Sequence, residues 1–100
     1  MEALSILNDP FAPLQQRFLA RCATQLAELR AARQRGPSVG SNDTLIPTAH
    51  SLAGAAGTFG FAEISARASA LETLLIEQAD DGASHAALDA LITEIERTLK

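Results

Sequence analysis

Apolar residues recur at helical spacing in four separate stretches of the chain. From Pro13 to Arg35, Leu14, Phe18, Cys22, Gln25 or Leu26, and Leu29 fall on one face, while Arg17, Arg21, Arg30 and Arg33 dress the other, so the spacing predicts a helix over 13–35. Pro10 or Pro13 suits its first turn, where a missing N–H is no loss. Leu45, Ala49, Leu52, Ala56 and Phe59 form the stripe of a second helix over 44–59. Thr44 is favoured over Asp43 as its N-cap, because Pro47 then lies in the first turn. Ile64, Ala68, Leu71 and Leu75 mark a third helix over 62–79, and Leu88, Leu91, Ile92, Ile95 and Leu99 a fourth over 85–99.

Between these stretches, GPSVGSND (36–43) and DDGAS (80–84) read as a loop and a turn. Each helix carries one apolar stripe and none is apolar all round. That pattern predicts an all-α chain: a single domain over 1–100 folded as an antiparallel up-down-up-down four-helix bundle, with a short N-terminal helix or extension before it. One stripe per helix is satisfied within a monomer.

Composition supports the helices and narrows the function. Trp and Tyr are absent and β-branched residues are scattered, which favours helix nearly everywhere. Eight basic against twelve acidic residues give a net charge of -4, and no basic stripe with interleaved aromatics points to nucleic acid. The single cysteine, Cys22, lies on a core stripe without a disulfide partner or a zinc spacing, in keeping with a reducing cytoplasm. No apolar run reaches the roughly 18 to 20 residues that span a bilayer, and MEALSILNDP lacks the basic start and cleavage site of a signal peptide, so neither membrane nor processing is expected.

The chemistry concentrates in TAHSLAGAAGTFGF, residues 48–61. An interior helical glycine costs about 1 kcal/mol relative to alanine. Stopping the helix at Gly54 would nevertheless throw Ala56 and Phe59 out of phase with Leu45, Ala49 and Leu52, so the helix is expected to run on through Gly57. Gly60, just past the last stripe residue, is suited to the left-handed conformation that ends a helix. His50, Gly54 and Gly57 share the side away from the stripe, with Ile46 and Pro47 beside them. A neutral imidazole is a nucleophile near pH 7, and glycines let a second protein or a phosphoryl group come close to it. His85 has no such glycine floor and reads as a solvated side chain. Asp80-Asp81 is too short a cluster for a calcium loop, and Phe59 and Phe61 read as packing residues, Phe61 under the turn between the second and third helices.

The run His50-Ser51-Leu52-Ala53-Gly54, followed by Gly60 and later by Leu71-Glu72, resembles the signature of histidine-containing phosphotransfer (HPt) domains, HxLKGxxxxxG. The resemblance extends over the whole chain in length and in helical architecture. It implies that His50 accepts a phosphoryl group at Nε2 from a receiver domain's aspartyl phosphate and passes it to another receiver. It further implies partners among response-regulator receivers, including those of hybrid histidine kinases, a Mg²⁺ that belongs to the receiver, no cofactor or metal of its own, and no ATP-dependent kinase activity. One position departs from the pattern: Ala53 stands where the family usually has lysine. Arg30 and Arg33 of the first helix are the cations expected to substitute, unless the receiver supplies all the charge. The alternative is a helical interaction module that binds a partner through the small-residue patch around Gly54 without phosphorylation. An enzyme reading has least support, since no glycine-rich ATP loop, Ser/His/Asp set or carboxylate pair is evident.

Overall fold

The computed structural model describes residues 10–34 and 45–100. The expected N-terminal extension, the 36–43 loop and the Thr44 cap lie outside them. Four helices follow in order: α1 (Phe11–Gln34), α2 (Leu45–Thr58), α3 (Ala62–Ile76) and α4 (Asp81–Leu99). Among the described residues there is no strand.

Each helix turns its stripe inward. Phe18, Cys22, Leu26, Leu29 and Ala32 of α1 meet Leu45, Ala49, Leu52 and Ala56 of α2, Ile64, Ala68, Leu71 and Leu75 of α3, and Leu88, Leu91 and Ile95 of α4 in one core. Cross-helix bonds fix the directions. Gln15 and Arg21 of α1 reach Phe59 and Ser51 respectively, so residues ascending α1 meet residues descending toward the start of α2. His50 and Ala53 of α2 likewise meet Glu72 and Ser65 of α3. The bundle is therefore antiparallel, as the short connections require.

The ends depart from the sequence pattern in instructive ways. Leu14 is 40% exposed, because Phe59 and Phe61 from the α2–α3 turn pack on Phe18 and close the core one turn above it. Leu99, the last helical residue, is 36% exposed, and Ile92 is only half-buried. The fourth helix begins at Asp81 rather than residue 85: Asp80 is its N-cap, Oδ1 accepting from Ala83 N at 2.8 Å. Asp and Ser favour turns and helix starts for the same reason, a side-chain oxygen placed to bond a nearby backbone N–H. Here the helix start wins, and Ser84 is buried inside it.

The third helix stops at Ile76, short of residue 79, because Gln78 takes φ +55°. The second stops at Thr58, with Gly60 at φ +88° as expected. Phe61 N bonds Ala56 O at 2.8 Å and Gly60 N bonds Gly57 O at 3.4 Å, the paired bonds that satisfy a helix's last carbonyls around a left-handed residue. That turn seats Phe61 against Phe18, ring centroids 5.2 Å apart. No helix among the described residues is long and apolar enough to cross a membrane.

Candidate functional site

With Ala49 and Leu52 anchored in the core, the intervening residues of α2 turn outward. The His50 side chain is 76% exposed. Its Nδ1 lies 2.7 Å from Oε2 of Glu72 on α3, whose side chain is only 20% exposed. An ionised carboxylate only accepts, so the bond fixes Nδ1 as the protonated nitrogen and leaves the Nε2 lone pair free. The imidazole is thus oriented from behind.

The small residues around it do two different jobs. A Cβ built on Gly54 meets nothing within 4 Å among the described residues, so they leave the surface one turn beyond His50 open. Thr58 Oγ1 donates to the Gly54 carbonyl at 2.9 Å. Gly57 is different: its Cβ would come 3.3 Å from Ser65 Oγ, which itself donates to Ala53 O at 2.8 Å. Gly57 is exposed, but its missing side chain chiefly lets α2 and α3 approach, rather than clearing space beside His50 as the spacing suggests. Ala53 sits half-buried at this helix contact, and Ile46 packs half-buried against the core, while Pro47 is exposed.

Arg30 and Arg33, the cations expected near His50, belong to another face. Arg30 is paired with Glu96, and Arg33 Nε lies 2.7 Å from Asp89 Oδ1, both carboxylates on α4. The physical reason is the helix arrangement. Arg21 is level with Ser51, so Arg30 lies nine residues up α1, about 13 Å at 1.5 Å per residue, on the side that α4 covers. The first-helix cation that reaches the His50 neighbourhood is Arg21, whose Nη2 donates to Ser51 Oγ. The sequence reading puts Arg21 with the other first-helix arginines on a solvated face, with some of them bordering the docking surface as the alternative; the axial register that selects Arg21 depends on how α1 and α2 are set against each other.

The remaining features stay outside the site. Cys22 is fully buried, and desolvation pushes its thiol up to about 11 even though the neighbouring Arg21 charge pulls the other way. His85 lies half-buried early in α4. No cluster of three His, Cys, Asp or Glu among the described residues could hold a metal ion.

The geometry therefore presents an oriented imidazole nucleophile beside an open glycine, with a carboxylate behind it and a guanidinium on the opposite flank. Residues 13–100 match the family model described as Hpt domain. No curated protein and no solved structure matches the chain.

Proposed function

The chain belongs to the Hpt domain family, whose members transfer phosphoryl groups on histidine in phosphorelays, and from that premise we propose that His50 is the residue that carries the phosphoryl group between receiver-domain aspartates. The observation that supports it most is the His50–Glu72 bond, which leaves Nε2 as the available nucleophile on a largely exposed ring.

The chemistry follows from that tautomer. Nε2 attacks phosphorus in line, the N–P bond forms, and the P–O bond to the receiver's aspartate breaks with its electron pair returning to the carboxylate. Positive charge grows on the ring, whose proton stays on Nδ1, and the Glu72 carboxylate offsets it. The reverse sequence loads a second receiver. The bare backbone at Gly54 admits the receiver's loops, with Ala53, Ile46 and Pro47 at the margin and Gly57 behind. Mg²⁺ is supplied by the receiver. In this reading the four helices act as one monomeric domain in the cytoplasm, the partners are response-regulator receivers, including those of hybrid kinases, and the protein neither hydrolyses ATP nor phosphorylates itself.

The test is incubation with a panel of phosphorylated receivers, scoring acid-labile, alkali-stable label on the wild-type chain and on His50→Gln. Label on the wild type alone is expected. Label that persists in His50→Gln, or none from any cognate receiver, overturns the proposal. The uncharged Ala53 beside the open Gly54 favours a second reading, a partner-binding module without phosphorylation. That reading predicts receiver binding unaffected by His50→Gln and no label at all.

A further inference from the structure

Among the described residues four arginines face a carboxylate, while two on α1, Arg17 and Arg21, do not, and only Arg21 of these two bonds a residue next to His50. Arg30, Arg33, Arg67 and Arg97 each face a carboxylate, that of Glu96, Asp89, Glu63 and Glu94 respectively. Arg21 instead spends its guanidinium on the neutral hydroxyl of Ser51, and it is exposed. No carboxylate among the described residues pairs with its charge. A hydrogen bond to an alcohol is a weak competitor for a guanidinium, whereas two phosphoryl oxygens match its fork with charge on both sides.

The position of that charge is what gives it a use. Ser51 follows His50 directly, their Cα atoms about 3.8 Å apart. At roughly 100° per residue, Gly54 falls between the two on the helix surface, one turn on. Among the described residues nothing lies within 4 Å of a Cβ at Gly54, so the position between the Ser51 flank and His50 is unfilled there. On the other flank Glu72 holds Nδ1. A group arriving at Nε2 thus has a carboxylate behind the ring and an uncommitted cation to one side, across an open surface.

We infer that Arg21 is a phosphoryl-binding residue: it rests on Ser51 while His50 is unmodified and moves across the Gly54 surface to bond the phosphoryl oxygens once they are on Nε2. The inference rests on His50 being the phosphorylated residue. Ser51 then has a parking role, holding the guanidinium near the site without neutralising it. Bonded to the residue next to His50, the charge also attracts the incoming group, an effect that salt should weaken.

The experiment compares Arg21→Ala, Arg21→Lys and Ser51→Ala with the wild type. Each is labelled from a phosphorylated receiver and, separately, from phosphoramidate, a small phosphodonor that needs no docking. The Arg21 Nε–Hε resonance is followed by NMR before and after labelling. Arg21→Ala is expected to accept label about tenfold more slowly from the receiver and to lose it faster, with unchanged melting. Arg21→Lys should recover part of the rate. Ser51→Ala should lose less rate than Arg21→Ala, because it removes only the resting partner and keeps the charge. The Arg21 resonance should shift on phosphorylation of the wild type. Arg21→Ala matching the wild type, an unmoved Arg21 resonance, or equal losses in Arg21→Ala and Ser51→Ala would each overturn the inference while leaving His50 phosphotransfer intact. A wild-type chain labelled by neither donor overturns the phosphotransfer reading and this inference with it.

Discussion

Oε2 of Glu72 stands 2.7 Å from Nδ1 of His50, joining the C-terminal half of α3 to the middle of α2 at the one exposed imidazole on that helix. Both residues are held by core neighbours: Leu71 is fully buried beside Glu72, and Ala49 beside His50. The carboxylate is thus placed by the fold, not by a flexible surface encounter. Glu72→Ala should leave melting nearly unchanged, since exposed pairs contribute about 0 to 1 kcal/mol. It should slow label acceptance by about tenfold, because the tautomer is no longer fixed and the growing ring charge loses its counter-charge. Glu72→Gln, which can still accept through its amide oxygen, should fall between. Nitrogen-15 NMR of the His50 ring checks the premise: a single Nδ1–H tautomer in the wild type and a mixture in Glu72→Ala.

Gly54 and Gly57 separate into an open and a packed position, and substitution should tell them apart. Gly54→Ala adds a methyl where nothing lies within 4 Å, so it should stabilise the bundle by about 0.5 to 1 kcal/mol. Gly54→Leu should keep the fold but block transfer from receivers, with phosphoramidate labelling retained. Gly57→Ala brings a Cβ to 3.3 Å from a Ser65 hydroxyl already committed to Ala53 O, and so forfeits most of the propensity gain. Gly57→Leu should destabilise by about 1 to 3 kcal/mol through overpacking. Thermal melts of the four variants, beside transfer assays, check the division.

What was legible in the sequence was whatever period alone decides. The stripes from Phe18 to Ile95 placed four helices and the core, and the phase of His50 against Ala49 and Leu52 placed the imidazole outside. Properties that depend on a neighbouring helix were not legible. Gly57 lies on the α2 flank that α3 covers, and nothing local distinguishes it from Gly54. Arg21, Arg30 and Arg33 look alike along α1; only the positions of α2 and α4 assign the first to Ser51 and the others to Asp89 and Glu96. The start of α4 is not legible because Asp-Asp-Gly-Ala-Ser has the composition of a turn, and an N-cap uses that same chemistry.

Cys22 makes stability fall at alkaline pH. Burial raises the folded-state thiol from its ordinary 9.0 to about 11. A pKa raised on folding leaves stability intact below the unfolded value and removes it as pH climbs from there toward the folded value. The loss therefore sets in near pH 9, where the unfolded thiolate begins to form, and levels off above about 11. Its full size is at most about 3 kcal/mol. Cys22→Ala should show a lower stability near neutrality from the small cavity but a flatter alkaline limb. Urea unfolding at pH 7, 9 and 10.5 for both proteins gives the comparison, and an unchanged difference across that range would contradict it.

The ends of α2 and α3 share one hydrogen-bond scheme but not one residue type. At the first, Gly60 holds φ +88° while Phe61 N reaches Ala56 O. At the second, Gln78 holds φ +55° while its N bonds Leu75 O at 3.2 Å and Ala79 N bonds Leu74 O at 3.0 Å. An L side chain in the left-handed region costs about 1 kcal/mol that glycine avoids, partly offset by glycine's greater freedom in the unfolded chain. Gln78→Gly should therefore stabilise by about 0.5 to 1 kcal/mol, and Gln78→Val should destabilise, since β-branching makes the left-handed region harder still to enter. Gly60→Gln should cost more than Gln78→Gly gains. The turn at Gly60 seats Phe59 and Phe61 on Phe18, whereas the residue before Gln78's turn, Ile76, is 60% exposed and packs little. Denaturant melts of the three variants test this ordering; a Gln78→Gly protein no more stable than wild type would show that the α3 end is not held in that conformation in solution.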